Sequence, residues 1–430
     1  MRKAKRIFNA LIIIIFLFSM IGCSESSDST STEKNKDNLP NISGYPIVGT
    51  NQTIFFNTLT VTSEQSVGDP FYGQNANYPG NVPKYVDNGD GTVTDMVTGL
   101  MWQSSFDHNR DGEINYDDKV TYSELLELVD TVSTGGYTDW RLPTIKELYS
   151  LIMFSGRDVS GYQAESTETL KPFINTDYFD FAYGDIEAGE RIIDMQCATI
   201  TTFQDGNLFL IYGVNFADGR IKGYGTQMPR PWGMEDKKFN YLLVRGNKDY
   251  GKNNFIDNGD GTISDLATGL MWSKEDSKEG MTWQQALAWV QQKNKEKYLG
   301  YSDWRLPDAK ELQSIVDYSR SPETTNSPAI DPLFECTQIT NENGEKDYPY
   351  YWTSTTHINM MEGHEGAWAV YIAFGRGLGY MEGKWSDVHG PGCQRSDPKE
   401  GDPSEFANGH GPQGDAVRIY NYIRLVRYIK

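Results

Sequence analysis

Tyr85-Val86-Asp87-Asn88-Gly89-Asp90-Gly91-Thr92-Val93-Thr94-Asp95 runs on to Thr98-Gly99-Leu100-Met101-Trp102. The same pattern returns as Phe255-Ile256-Asp257-Asn258-Gly259-Asp260-Gly261-Thr262-Ile263-Ser264-Asp265 through Thr268-Gly269-Leu270-Met271-Trp272. Val86, Val93 and Met101 flank Asn-Gly and Asp-Gly pairs, which accept the positive φ of tight hairpin turns, so each stretch predicts short strands joined by turns. Later landmarks recur in the same order. Tyr137-Thr138-Asp139-Trp140-Arg141-Leu142-Pro143 matches Tyr301-Ser302-Asp303-Trp304-Arg305-Leu306-Pro307, and Leu243-Val244-Arg245 matches Leu425-Val426-Arg427. So long a period exceeds the roughly 20 to 50 residues of solenoid and propeller repeats and is that of a whole domain. Two tandem domains are expected, over 45–247 and 248–430.

Each copy also predicts two helices. Thr282 and Gln285 form a capping box ahead of Trp283, Ala286, Leu287 and Val290, which fall on one helical face. Thr121 and Glu124 repeat the device before Tyr122, Leu125, Leu126 and Val129. After the proline, Thr144 with Glu147 and Asp308 with Glu311 start a second helix, followed by inward-facing Leu148, Leu151 and Ile152 or Leu312, Ile315 and Val316. Aromatic and β-branched runs then predict strands at 198–201, 208–216, 351–355 and 368–374. Each domain is therefore expected to be α+β, two helices against a mostly antiparallel sheet.

Outside the repeats, the N-terminus carries Arg2, Lys3, Lys5 and Arg6, then an apolar run from Leu11 to Ile21 that ends at Gly22 and Cys23. A basic head and a short apolar stretch read as a secretory signal over 1–22, shorter than the roughly 20 residues of a membrane span. Met20-Ile21-Gly22-Cys23 resembles a bacterial lipobox, which implies lipidation of Cys23 and a lipid-anchored protein of the bacterial cell envelope, at the outer membrane or cell surface. The segment 23–44 is almost devoid of apolar residues beyond the cysteine and reads as a flexible tether. A formal charge of −20 excludes a basic nucleic-acid surface. Cys197, Cys336 and Cys393 remain in a compartment that permits disulfides, and Cys336 with Cys393 is the expected pair because both lie in the second copy.

One segment breaks the repeat. Asp107-His108-Asn109-Arg110-Asp111-Gly112-Glu113-Ile114-Asn115-Tyr116-Asp117-Asp118 places Asp107, Asn109, Asp111, Asn115 and Asp118 at positions 1, 3, 5, 9 and 12 of an EF-hand-like loop, with Gly112 at the sharp turn. Calcium is hard and takes oxygen ligands, and the carbonyl of Glu113 completes the expected set. Asp118 is one methylene shorter than the usual closing glutamate, as in dockerin loops. The Asp87–Gly91 and Asp257–Gly261 loops are too compact for the same role and read as hairpin turns with solvated carboxylates. Arg141 and Arg305, each following a tryptophan, read as structural arginines paired inside their own domains. No zinc spacing, nucleophile elbow, phosphate loop or dinucleotide fingerprint occurs, so no catalytic residues are assigned. A carboxylate pair of the glycosidase kind is the alternative that spacing does not address.

Taken together, the Asp-Asn-Gly-Asp-Gly-Thr turn, Thr-Gly-Leu-Met-Trp, Trp-Arg-Leu-Pro with its following Glu147 or Glu311, and the closing Leu-Val-Arg resemble the Lcl C-terminal domain family, also called DUF1566. The lead-in stretches Tyr45-Pro46-Ile47-Val48 and Phe71-Tyr72-Gly73-Gln74 add to the likeness. The Trp-Arg-Leu-Pro helix start is similar to that of the formylglycine-generating enzyme group, so the resemblance implies a C-type-lectin-like fold in each copy. It does not carry the activity, because the closely placed C-terminal cysteines of those enzymes are missing from Tyr422 to Lys430. The namesake adhesin recognises sulfated polysaccharides, for which this acidic chain has no evident basic groove. Aromatic residues on the Gly-rich loops 376–383 and 386–414 fit recognition of a glycan or a protein. The expected function is a non-enzymatic binding or adhesion module; a cryptic hydrolase or formylglycine-generating type of enzyme, and a structural envelope protein, are the alternatives.

Overall fold

The computed structural model describes residues 44–430 except 163–165, 206–207 and 231–232. The signal at 1–22, Cys23 and all but the end of the tether lie outside the described residues. Among those described, no helix is long and apolar enough to cross a membrane.

The first copy contains β1 (Tyr85–Asp87), β2 (Thr92–Asp95), β3 (Leu100–Gln103), α1 (Tyr122–Leu128), α2 (Ile145–Tyr149), β4 (Gln196–Asp205), β5 (Leu208–Asn215), β6 (Arg220–Gly225) and β7 (Val244–Gly246). The second contains β8 (Phe255–Asp257), β9 (Thr262–Asp265), β10 (Leu270–Ser273), α3 (Trp283–Glu296), α4 (Ala309–Ser314), β11 (Tyr350–His357), β12 (Trp368–Ala373), β13 (Leu378–Met381), β14 (Lys384–Asp387), β15 (Gln394–Pro398) and β16 (Val426–Tyr428). With mostly antiparallel strands and four α-helices among the described residues, the architecture is α+β.

Equivalent residues do equivalent work. In each copy the hairpin strands are closed by that copy's last strand, in the orders β7-β3-β2-β1 and β16-β10-β9-β8. Val93 opposes Trp102 and Ile263 opposes Trp272, with both tryptophans fully buried. All four helices begin with the capping boxes expected, at Thr121, Thr144, Thr282 and Asp308. The second helices stop early, so Leu151, Ile152 and Val316 are buried beyond a helix end rather than within it.

The copies also share a six-stranded sheet, ordered β11-β12-β15-β6-β5-β4. At its centre Gln394 pairs antiparallel with Ile221. Both residues occupy the same repeat position, because Ile221 opposes Val214 and Gln394 opposes Ile372 on matching strands. An antiparallel pair of equivalent residues marks a local two-fold axis. One continuous hydrophobic core crosses it, from Trp102, Leu148 and Val244 to Trp272, Leu312 and Val426, and two smaller cores lie on the outer sides.

The expected disulfide between Cys336 and Cys393 is not formed; both thiols are free, as is Cys197. Cys393 is packed in the outer core of the second copy with Trp352 and Tyr371, whereas Cys336 packs on the shared core beside Tyr351. Successive strand side chains point to opposite faces, so Tyr351 and Trp352 place the two cysteines on opposite sides of the sheet.

Candidate functional site

The loop from Asp107 to Asp118 is built largely from its own side-chain-to-backbone hydrogen bonds. Asp107 accepts from the backbone N–H groups of Arg110 at 2.7 Å and Gly112 at 3.0 Å, and Gly112 takes a φ of +93°. Asn109 accepts from Asp111, Asp111 from Glu113, and Asn115 from Asp117. Asp118, almost fully buried, closes the loop by accepting from His108 at 2.7 Å, Asn109 at 3.1 Å and Asn115 at 2.9 Å. Gly112 thus makes the sharp turn of the loop, while the closing carboxylate points at the loop's own N–H groups. Among the described residues no group of three or more His, Cys, Asp or Glu side chains is gathered in a metal-holding arrangement. His108 anchors the loop, its ring stacked 3.6 Å from Tyr241 and its Nε2 2.9 Å from the Tyr241 carbonyl. Burial pushes the His108 pKa down to about 4.

The two arginines pair inside their own copies. Arg141 contacts Glu147 through two bonds, at 2.8 and 2.5 Å, and Arg305 grips Glu311 in the same way. Each glutamate is also the reciprocal member of its helix's capping box, so the arginine braces the start of the second helix.

A cleft of about 510 Å³ lies on the second copy alone, lined from the Gly-rich loops only by Pro403, Phe406 and Ala407 of 386–414 and otherwise mostly by residues of 339–350 and 417–422. Trp385, Phe406, Tyr420 and Tyr422 supply its aromatic faces, and Thr340, Asn421 and the Arg418–Glu342 pair its polar ones. Trp385 comes from β14, where Tyr380 of the partner strand β13 meets it edge-on at 5.3 Å. Arg418 contacts Glu342 bidentately, at 2.8 and 2.9 Å, and lies 3.7 Å over the Tyr350 ring. Burial acts to raise the Glu342 pKa, but the guanidinium outweighs it and holds the group below the usual carboxylate range.

One wall of this cleft is strained. Ile419 adopts a φ of +62°, a rare conformation for a β-branched residue. It is held there from below: Asp397 accepts from the N–H groups of Arg418 at 3.0 Å and Ile419 at 3.1 Å, and from Asn421 Nδ2 at 2.9 Å. Burial raises Asp397 to about 6, against the lowering effect of those donors. The turn buries Ile419 completely and presents Tyr420, 47% exposed, at the cleft. Sequence reasoning marked the Gly-rich loops but missed this wall; the Arg418-Ile419-Tyr420-Asn421-Tyr422 run directly after them was the available signal.

The sequence profile of the Lcl C-terminal domain matches the chain twice, over residues 91–232 and 261–389. No curated protein and no solved structure matches it.

Proposed function

This chain belongs to the Lcl C-terminal domain family through both of its copies, and on that premise we propose that it is a non-enzymatic, lipid-anchored cell-envelope protein that holds a glycan in the aromatic cleft of its second copy. We read each copy as C-type-lectin-like, with recognition carried by loops beyond the sheet. The observation that carries the proposal is the cleft itself. Its volume suits a small ligand, and four aromatic rings offer flat apolar faces on which sugar rings stack. Arg418 is already matched by Glu342, which favours a neutral glycan over a sulfated one. Glu342 is the one carboxylate lining the cleft and is held ionised, which is unlike the protonated acid and second carboxylate of a glycosidase. The lipobox at Cys23 supports an envelope location, and the Asp107–Asp118 spacing supports structural calcium in the first copy.

A glycan array probed with residues 44–430, with and without a chelator, tests this reading. Specific binding of neutral glycans that Trp385→Ala and Tyr420→Ala abolish is expected. Silence on the array together with turnover of a chromogenic glycoside contradicts it and favours the hydrolase alternative.

A further inference from the structure

The segments that precede the two hairpins are exchanged between copies. The first lead-in, Gly44 to Lys84, crosses to the second copy: Gln52 bonds the backbone of Thr356 at both N and O, Asn75 Oδ1 accepts from Thr355 Oγ1 at 2.7 Å, and Phe71 stacks on Trp283. Gly68 N donates to Gln291 Oε1 at 2.8 Å, so the segment runs along α3. The second lead-in, Asn247 to Asn254, crosses the other way, and Lys146 of α2 donates to Gly251 O at 3.3 Å as Lys310 of α4 does to Gly49 O. Their lengths differ greatly. The short lead-in ends where the long one begins to cover its host.

The first copy consequently has an uncovered version of a seat that the second copy has filled. Hydrogen bonds fix the correspondence: Ile145 N donates to Thr201 Oγ1 as Ala309 N does to Thr355 Oγ1, and Ile200 N donates to Pro143 O as Ser354 N does to Pro307 O. Ile200 is 46% exposed and its counterpart Ser354 2%; Leu126 is 43% exposed and its counterpart Leu287 1%. The Arg141 side chain is 30% exposed against 4% for Arg305. Tyr78 of the lead-in lies over Arg305 at 5.9 Å, beyond Tyr428 of the copy's own last strand at 4.7 Å, whereas no ring is stacked on Arg141 among the described residues. Where Asn75 and Tyr78 sit on the second copy, Arg141, Thr144 and Thr201 of the first form one side of a cleft of about 620 Å³, whose other sides are the second lead-in at Lys248 to Asn253 and the second copy at Ile315 to Ser319.

We propose that this open seat on the first copy binds an extended, largely uncharged peptide segment of a partner protein, with a side-chain carboxamide at Thr201, an aromatic ring over Arg141 and apolar residues against Ile200 and Leu126. The occupant's chemistry is that of the chain's own first lead-in, because the same structural positions hold that segment on the second copy. This site shares no lining residue with the aromatic cleft, so it stands or falls independently of glycan binding.

A fluorescent peptide of the chain's own residues Thr50–Tyr78, added to residues 44–430 and read by anisotropy, tests it. Saturable binding is expected, weakened about tenfold or more by Ile200→Glu or Leu126→Glu, with the thermal melt unchanged because both side chains are exposed. A peptide variant with Asn75→Ala is expected to bind more weakly. Absence of saturable binding overturns the proposal, as does binding that the two protein variants leave intact, which places the peptide on the second copy by displacement. Dimerisation of the unliganded chain that Ile200→Glu abolishes also overturns it, in favour of a second copy of this chain as occupant.

Discussion

Lys146 donates to the Ser314 carbonyl at 2.6 Å, and the equivalent lysine of the other copy, Lys310, returns the contact to the Ser150 carbonyl at 2.7 Å. Each lysine starts from the second position of one short helix and reaches a carbonyl at the C-terminus of the other, Ser314 being the last residue of α4 and Ser150 the first past α2, where helix C-termini have unsatisfied acceptors and favour cations. Together with the Ile221–Gln394 pair, this exchange makes the duplicated halves one two-fold unit.

Burial of these lysines has a pH signature. Desolvation pushes Lys310 down to about 7 and Lys146 to about 8. Between the folded value and the ordinary one near 10.5, the unfolded chain binds more protons, so this contribution to stability rises with pH. Urea unfolding is expected to show a steeper rise in stability between pH 7 and about 9.5 for the native chain than for Lys310→Met. Parallel pH profiles for the two proteins rule out the depressed lysine.

The asymmetry of the lead-ins predicts unequal arginines. Arg305→Ala leaves Glu311 buried without its partner, and about 3 to 5 kcal/mol of stability is expected to be lost. Arg141→Ala removes the same contact from a guanidinium that water already reaches, so a smaller loss is expected. Equal losses in denaturant titrations contradict the unequal cover seen at the two sites.

Asp397 is expected to hold the cleft wall. Asp397→Ala leaves two backbone N–H groups and the Asn421 amide without their acceptor, at a cost of about 1 to 3 kcal/mol for each group that finds no substitute. Free of its pin, Ile419 is expected to leave the left-handed region, moving Tyr420. The measurement is a denaturation curve paired with glycan affinity; native affinity in the variant means the strained turn does not shape the site.

For the first-copy loop, added calcium is expected to raise the thermal melt of residues 44–430, and Asp107→Ala is expected to abolish the response. Binding requires Asp118 to exchange part of its hold on the loop's N–H groups for the ion. A native chain whose melt ignores calcium shows the loop to be complete without it.

Much of this was legible in sequence because its signals are local. Asn-Gly and Asp-Gly turns, the capping boxes at Thr121, Thr144, Thr282 and Asp308, and the Trp-Arg-Leu-Pro landmarks each depend on neighbours within a few residues, and each lies where expected. The two-fold relation was not legible. Nothing near Lys146 names Ser314 as its acceptor, and Ile221 and Gln394 share no chemistry that marks them as partners. The cysteine pairing failed for a related reason: sharing a copy says nothing of which sheet face Cys336 and Cys393 occupy. The cleft was legible in part, as aromatic loops, while the strained wall at Ile419 depends on a carboxylate distant in sequence.

Differential scanning calorimetry of residues 44–430 tests the central claim, that two copies form one folding unit around a shared sheet and core. A single transition with matching calorimetric and van't Hoff enthalpies is predicted. Two resolved transitions, one lost on deleting residues 248–430 while the other persists unchanged, would contradict it.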